Sequence, residues 1–458
     1  MSSSDLIYGL HDRPTPGKAF LAALQHILAA FVAIITPPII IASTLGLTHQ
    51  LPYLVAMSLF VSGIASFIQA RTFGRVGSGL MSIQGTNFSF VPILISAGFV
   101  LKGQGLSEEE LLANIFGMTF AGSFIIIFVS FYLDKLKKII TPCVTGIVVT
   151  LIGLSLIKIG VTDMAGGFGA EDLGDIRHIG LGLFTLIIVL VFNVMRHPIL
   201  RVASLVLGMF FGCLMAAVMG ELSAPDLSHI DWFVLPMPFR YGIGFDFTLF
   251  IPIMVIYLVS VLEAIGDLTA TSRASDEPTD GPVYRRRISN GILGDGVNCV
   301  IAAILQTFPC TTFSQNNGVI TITGIASRYV GMLVGGILVV MGLFPIIGAV
   351  FQQLPTPVLG ACTTFIFGTI ALSGIRILAG VDFQRKQVIT VAVSFGIGLG
   401  VVFVPEVLKD LSPMLQNVFG TAVSAGGITA MLCSLLLPGK EEAKVKEEDL
   451  VTSEDGAS

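Results

Sequence analysis

Apolar runs long enough to cross a bilayer recur from one end of this chain to the other. A lipid interior offers no water to backbone N–H and C=O groups, so a spanning segment must be a helix or part of a closed barrel. Helix spans need about twenty apolar residues, and strand spans about half that. About fourteen runs of helix length can be marked on hydropathy. They lie at 19–41, 52–70, 79–98, 112–132, 139–161, 178–195, 202–220, 246–271, 291–308, 309–327, 329–350, 357–378, 388–405 and 417–437. The 12% charged residues contrast with about 25% in a soluble domain. The spacing predicts an all-α polytopic membrane protein. The first residues carry Asp5, His11, Asp12 and Arg13 and lack a signal-peptide layout, so the run at 19–41 is expected to be retained.

Charge sorts the loops. With a cytoplasmic N-terminus, the inner loops hold Arg13, Arg71, Arg75, Lys135, Arg196, Arg201, Arg273, Arg285, Arg328, Arg376 and Arg385, among others. The outer loops hold only Lys102, Arg177, Arg240 and Lys409. The positive-inside rule then predicts cytoplasmic N- and C-termini in a plasma (inner) membrane. The stretch 439–458 is acidic and is expected to be a disordered tail. The six cysteines fall in or beside apolar runs without metal-ligand or disulfide spacing, and read as small core residues.

Two of the runs cannot be ordinary helices. Phe308 to Ser327 is interrupted by Pro309, the β-favouring Thr311 to Phe313, and then Gln315, Asn316, Asn317 and Gly318. Backbone that leaves a helix at membrane depth is tolerated where protein buries it or a cavity needs it. The reading is an extended piece to about Ser314, then a half-helix from near Asn316. Its N-terminus presents free N–H groups and positive dipole to a ligand. The earlier break runs from Gly77 to Phe90; Gly85 or Thr86 is expected to cap a second half-helix starting at Thr86.

The breaks are part of a repeat. Thr141-Pro142 opens the fifth run with Gly153 following, and Thr356-Pro357 opens the twelfth with Gly368 at the same spacing. The broken runs, third and tenth, are separated by the same number of segments as the fifth and twelfth. Seven segments per half is odd, so the halves are predicted to be inverted in the membrane. Inverted repeats with paired interrupted helices point to a secondary transporter with its site at mid-membrane.

Ionisable groups inside the runs sharpen this. Glu263 and Asp267 are one helical turn apart and share a face. A carboxylate within a span is costly unless it meets a cavity or partner. Asp295 opens the ninth run and His26 lies in the first. There is no Gly-x-x-x-x-Gly-Lys-Ser/Thr loop, no paired-histidine metal signature and no nucleophile-elbow context, so no ATP-driven step, metal or catalytic residue is expected.

The residues Gln315-Asn316-Asn317-Gly318-Val319-Ile320-Thr321-Ile322-Thr323-Gly324 resemble the signature of the nucleobase–ascorbate transporters, the xanthine/uracil permeases. Gln25-His26, Ser82 to Phe90, Glu263 to Thr269 and Gly294-Asp295-Gly296 are similar to that family's other motifs. Within it, the chain is most similar to bacterial proton-coupled xanthine permeases. Uracil permeases typically carry Glu at the Gln315 position and His at the Asp267 position.

The resemblance implies two inverted seven-segment repeats, with segments three and ten each holding a short antiparallel strand and a half-helix. It implies a core domain from 19–132 and 246–350, a gate domain from 139–222 and 357–437, a cytoplasmic 1–18 and a homodimer. By motif position Glu263 and Gln315 hold the base and Phe88 stacks on it. Asp267, Asp295, His26, Asn316 and Asn87 support or couple, and Gln84 and Thr86 lie in the same supporting stretch. Backbone N–H groups around Ser314, Asn316 and Gly318 are expected to take a carbonyl oxygen of the base. The expected activity is proton symport of a purine, xanthine first. Urate, guanine, hypoxanthine or uracil are alternatives, as is an anion such as sulfate or bicarbonate on the same fold. No cofactor and no nucleic-acid partner is expected, with a proton as coupling ion and the bilayer as surroundings.

Overall fold

The computed structural model describes residues 6–136, 141–222 and 232–438. In chain order the helices are α1 Pro16–Leu45, α2 Leu51–Arg71, α3 Val91–Gly103, α4 Glu108–Leu136, α5 Pro142–Met164, α6 Ile176–Val194, α7 Pro198–Val202, α8 Ser204–Met219 and α9 Phe247–Ala274. They continue as α10 Gly281–Ile304, α11 Gln315–Thr323, α12 Arg328–Gly342, α13 Ile346–Gln352, α14 Thr356–Ala379, α15 Arg385–Phe403, α16 Pro413–Phe419 and α17 Ala422–Leu436. Two three-residue strands, β1 Gln84–Thr86 and β2 Cys310–Thr312, interrupt the helical pattern. Eight helices among the described residues are long and apolar enough to cross a membrane. The predicted acidic tail lies outside the described residues, as do the first five residues and the opening of the fifth run.

Glycine lets the long helices approach closely. An added Cβ would meet Leu378 at Gly146, Ala371 at Gly153 and Thr364 at Gly160, all within 3 Å. These glycines repeat every seven residues on α5, and their contacts run backwards along α14, so the two helices pack antiparallel, backbone against backbone. Gly335 and Gly342 do the same for α12, against Phe67 and Phe60 of α2.

The strands lie at the centre of the fold. β1 and β2 pair antiparallel with Gln84 opposite Thr312, Gly85 opposite Thr311 and Thr86 opposite Cys310. The ladder extends by Asn87 N–H to the Pro309 carbonyl at 2.9 Å and Phe313 N–H to the Ile83 carbonyl at 3.1 Å. Strands this short do not hold together alone. Polar side chains on two neighbouring helices support them. Ser66 Oγ of α2 accepts from Gln84 N–H at 2.9 Å, and Ser58 shares a hydrogen bond with Thr86. From α10, an Asp295 carboxylate oxygen lies 3.4 Å from Thr312 N–H, and Asn298 Nδ2 lies 3.4 Å from the Gln84 amide oxygen. All of these groups are buried, so the interrupted backbone meets polar partners where lipid provides none.

The half-helices differ in how they begin. α11 starts at Gln315, within a residue of the expected position. The first one does not start at Thr86, because Thr86 is spent in the strand. Asn87 instead accepts Ser89 N–H at 2.7 Å through Oδ1 and caps a short 3-10 turn, Phe88–Phe90, that leads into α3. Pro92 sits in the first turn of α3, where its missing N–H costs nothing. Further breaks went unpredicted. The run at 329–350 divides into α12 and α13 around Pro345, and the run at 417–437 divides into α16 and α17, where Thr421 caps α17 by accepting Ser424 N–H at 3.2 Å. Residues ahead of α1 return to the end of α11, with Ile7 N–H donating to Gly324 O at 2.8 Å and Ala326 N–H to Tyr8 O at 2.9 Å.

Candidate functional site

A cavity opens where the two strands end. Asn87 and Phe88 border it after β1, and Thr312, Phe313, Ser314 and Gln315 border it from β2 into α11. α9 contributes Glu263, Gly266 and Asp267. The facing wall comes from the close-packed pair, with Thr145, Val149 and Ile152 on α5 and Ile370, Ser373 and Ile377 on α14.

Glu263 is held in place by the first break. Ser89 Oγ lies 2.7 Å from both of its carboxylate oxygens, and Asn87 Nδ2 donates to Oε2 at 3.0 Å. Asn87 Nδ2 also donates to Thr311 Oγ1 of β2 at 2.9 Å, so one side chain ties both strands to the acid. A carboxylate has about four lone-pair sites, and these two donors leave acceptor capacity toward the cavity. Asp267 sits one turn further along α9; among the described residues its carboxylate has no hydrogen-bond partner, although it borders the cavity. No lysine or arginine is among the described residues lining this space. The site therefore suits a ligand with N–H donors and disfavours an anion.

An aromatic corner forms one side. The Phe88 ring stacks on Phe313 at 6.5 Å between centroids and 22° between planes, and it meets Phe367 edge-on at 5.6 Å. The N-terminus of α11 opens on the same space, since Ser314 and Gln315 line it and Ser314 makes no side-chain cap. A flat heterocycle gains a stacking surface and a donor-rich edge here.

The remaining predicted residues lie behind these. Asn316 and Gly318, expected at the ligand, do not line the cavity. Asn316 is buried, its Oδ1 2.9 Å from His26 Nδ1 and its Nδ2 donating to the Met81 carbonyl. Gly318 is exposed on α11, one turn beyond Gln315. His26 meets Asn316 and is not among the described residues lining the cavity. Asp295 lies under β2 and accepts from Gln69 Nε2 at 2.7 Å. Gln84 and Thr86 face α10 and α2 as described above. Sequence reasoning missed Ser89, Thr311 and Gln69. Gln69 had a legible signal, an amide inside an apolar run that must find partners. Thr145 and Ser373 had none, since each hydroxyl bonds its own helix, to Thr141 O at 3.2 Å and Thr369 O at 2.9 Å.

The model of the Permease family, Xan_ur_permease, matches residues 17–407. Xanthine permease XanQ of Escherichia coli (strain K12) is 42% identical over 442 residues, covering 96% of this chain and 95% of that protein. Xanthine permease XanP of the same strain is 42% identical, covering 96% of each. The uric acid-xanthine permease of Emericella nidulans is 32% identical, covering 95% of this chain and 84% of its own. Among solved structures, SLC26A9 matches with a TM-score of 0.61 at 12% identity, over 92% of this chain and 66% of that one. The transmembrane domain of the cyanobacterial bicarbonate transporter BicA matches with a TM-score of 0.55 at 13% identity, over 93% and 99%. Identities that low speak for the fold alone, a membrane-transporter fold. The relatives in sequence are permeases and not enzymes. With the family model matching most of this chain and two relatives sharing two residues in five with it, the chain belongs to the xanthine/uracil permease family, the nucleobase–ascorbate transporters.

Proposed function

We propose that this protein is a secondary active transporter that takes up a purine nucleobase, xanthine first, together with a proton. The observation that carries the reading is Glu263, a carboxylate fixed by Ser89 and Asn87 and set in a cavity beside Gln315 and Phe88. Xanthine is flat and presents N–H donors next to C=O acceptors. Glu263 accepts N–H groups, the Gln315 amide pairs with an N–H beside a C=O, and Phe88 stacks on the ring. Asp267 and Asp295 are the leading proton carriers, and His26 acts behind Asn316.

The architecture is read as fourteen segments in two inverted seven-segment repeats. α3 with β1 and α11 with β2 are the two interrupted members, and α7–α8, α12–α13 and α16–α17 each count as one span. The core comprises 19–132 and 246–350 and the gate 139–222 and 357–437, with both termini cytoplasmic in a plasma membrane and two copies per transporter. Supporting the division, α2 packs on α12 and α4 on α10, while α5 packs on α14 and α15 on α17. The cavity lies between the two groups, so sliding one against the other would expose it to each side in turn. One proton moving through the field gains about 2.3 kcal/mol per 100 mV, about fortyfold in accumulation at 1.4 kcal/mol per decade.

The test is uptake of labelled xanthine in cells expressing the protein. Excess purines should compete, whereas uracil, sulfate and bicarbonate should not, and a protonophore should abolish accumulation. Competition by sulfate without competition by any purine would favour the anion reading, for which the open N-terminus of α11 is the supporting feature. Accumulation that ignores the protonophore and requires sodium would overturn the coupling ion.

A further inference from the structure

A second concavity lies on the outer side of the molecule, away from the cavity described above. Ile64, Phe67 and Ile68 of α2 form one wall, and Gly336 and Val339 of α12 form the other. The turn after α2 closes one end with Phe73 and Val76, which bond each other's backbone at 2.8 and 3.1 Å. The surface is almost wholly apolar. Two small residues in sequence, Gly335 and Gly336, keep it open: a Cβ at Gly335 would strike Gly63, but nothing lies within 4 Å of one at Gly336.

Arginines gather at the closed end. Arg71 is the last residue of α2, Arg75 stands between Phe73 and Val76, and Arg328 is the first residue of α12. Arg328 Nη2 donates to the Arg71 carbonyl at 2.6 Å, so the two helix ends touch. The Arg75 guanidinium lies over the Phe131 ring at 5.7 Å. Among the described residues none of the three pairs with a carboxylate. Arg71 and Arg75 are exposed.

The dimensions fit one leaflet. Ile64 is seven residues from Arg71 and Val339 eleven from Arg328, so at 1.5 Å per residue the groove runs about 10 to 16 Å inward from the arginines. Half of a roughly 30 Å hydrocarbon core is about 15 Å. Basic groups at the end of an apolar crevice between membrane helices are suited to acidic lipid headgroups.

We propose that this groove is a binding site for one phospholipid with an anionic headgroup, its acyl chain along α2 and α12 and its phosphate against Arg71, Arg75 and Arg328. The site lies outside the transport cavity and does not depend on the identity of the transported substrate.

The test purifies the full chain from membranes containing phosphatidylglycerol and phosphatidylcholine and measures retained lipid by native mass spectrometry. Retention of phosphatidylglycerol over phosphatidylcholine is expected. At about 1 kcal/mol per surface arginine, Arg75→Gln should lower that preference about fivefold, and Arg71→Gln with Arg75→Gln further. Gly336→Leu fills the groove from a position with open space and leaves the arginines intact; it should lower retention of the bound lipid while the protein keeps its melting temperature. Equal retention of the two lipids by the unaltered protein would overturn the proposal. So would retention untouched by Gly336→Leu, which would place the acyl chain outside the groove. A fall in oligomer mass with Gly336→Leu, without loss of lipid, would instead assign the groove to a second copy of the chain.

Discussion

Glu263→Gln is expected to lower xanthine uptake by more than about a hundredfold while the protein reaches the membrane in normal amount. The reason is a donor–acceptor mismatch. Ser89 and Asn87 already occupy acceptor sites on this carboxylate, at 2.7 and 3.0 Å. A glutamine has one amide oxygen, and those two donors would hold it. Its NH2 group would then face the cavity, where substrate N–H groups need an acceptor. Two hydrogen bonds to a charged group are lost, at about 1.5–3 kcal/mol each, and 1.4 kcal/mol is a factor of ten. Because the Ser89 and Asn87 contacts survive, the fold should be spared. Initial uptake rates at matched amounts of membrane protein decide the matter, and a variant transporting at the normal rate would remove Glu263 from the substrate site.

Gly85→Ala should be nearly as damaging, by a different route. Gly85 sits in the middle of β1 opposite Thr311. A Cβ there would come within 2.3 Å of the Phe313 ring. That ring is buried and stacked on Phe88, so it has nowhere to go except toward the cavity. Overpacking of this kind costs about 1–3 kcal/mol, and displaced site geometry costs activity beyond that. A lower melting temperature and at least about tenfold weaker uptake are expected. Phe313→Leu combined with Gly85→Ala should recover part of the lost stability, since residues in contact show non-additive effects of about 0.5–3 kcal/mol. If the single variant melts and transports normally, the Phe313 ring is not the constraint.

Glu263 and Gly85 both depend on the two interruptions, and these were unevenly legible in the sequence. The second break was readable because its signals agree: Pro309, a β-favouring run, then polar residues where a new helix starts at Gln315. At the first break the glycines announced a departure from helix but could not mark its end. Thr86 has the chemistry of a helix cap, yet it spends its hydroxyl on Ser58, twenty-eight residues away in sequence, and the capping falls to Asn87. A local cap rule cannot see that competition. The same limit explains Asn316. Its place in the signature stretch suggested contact with the ligand, but its side chain is committed to His26, 290 residues away.

What the sequence determined by itself was therefore the demand. Lipid imposes helices on the apolar runs, and it makes Glu263, Asp267, Asp295 and Gln69 need partners or a cavity. Which distant group answers each demand was decided only by the packed chain. Strands of three residues carry too little pairing energy to select their own register. Their alignment is set by Ser58 and Ser66 on one side and Asp295 and Asn298 on the other. Periodicity shows that a polar group is turned inward, but not which of many inward-facing groups it meets.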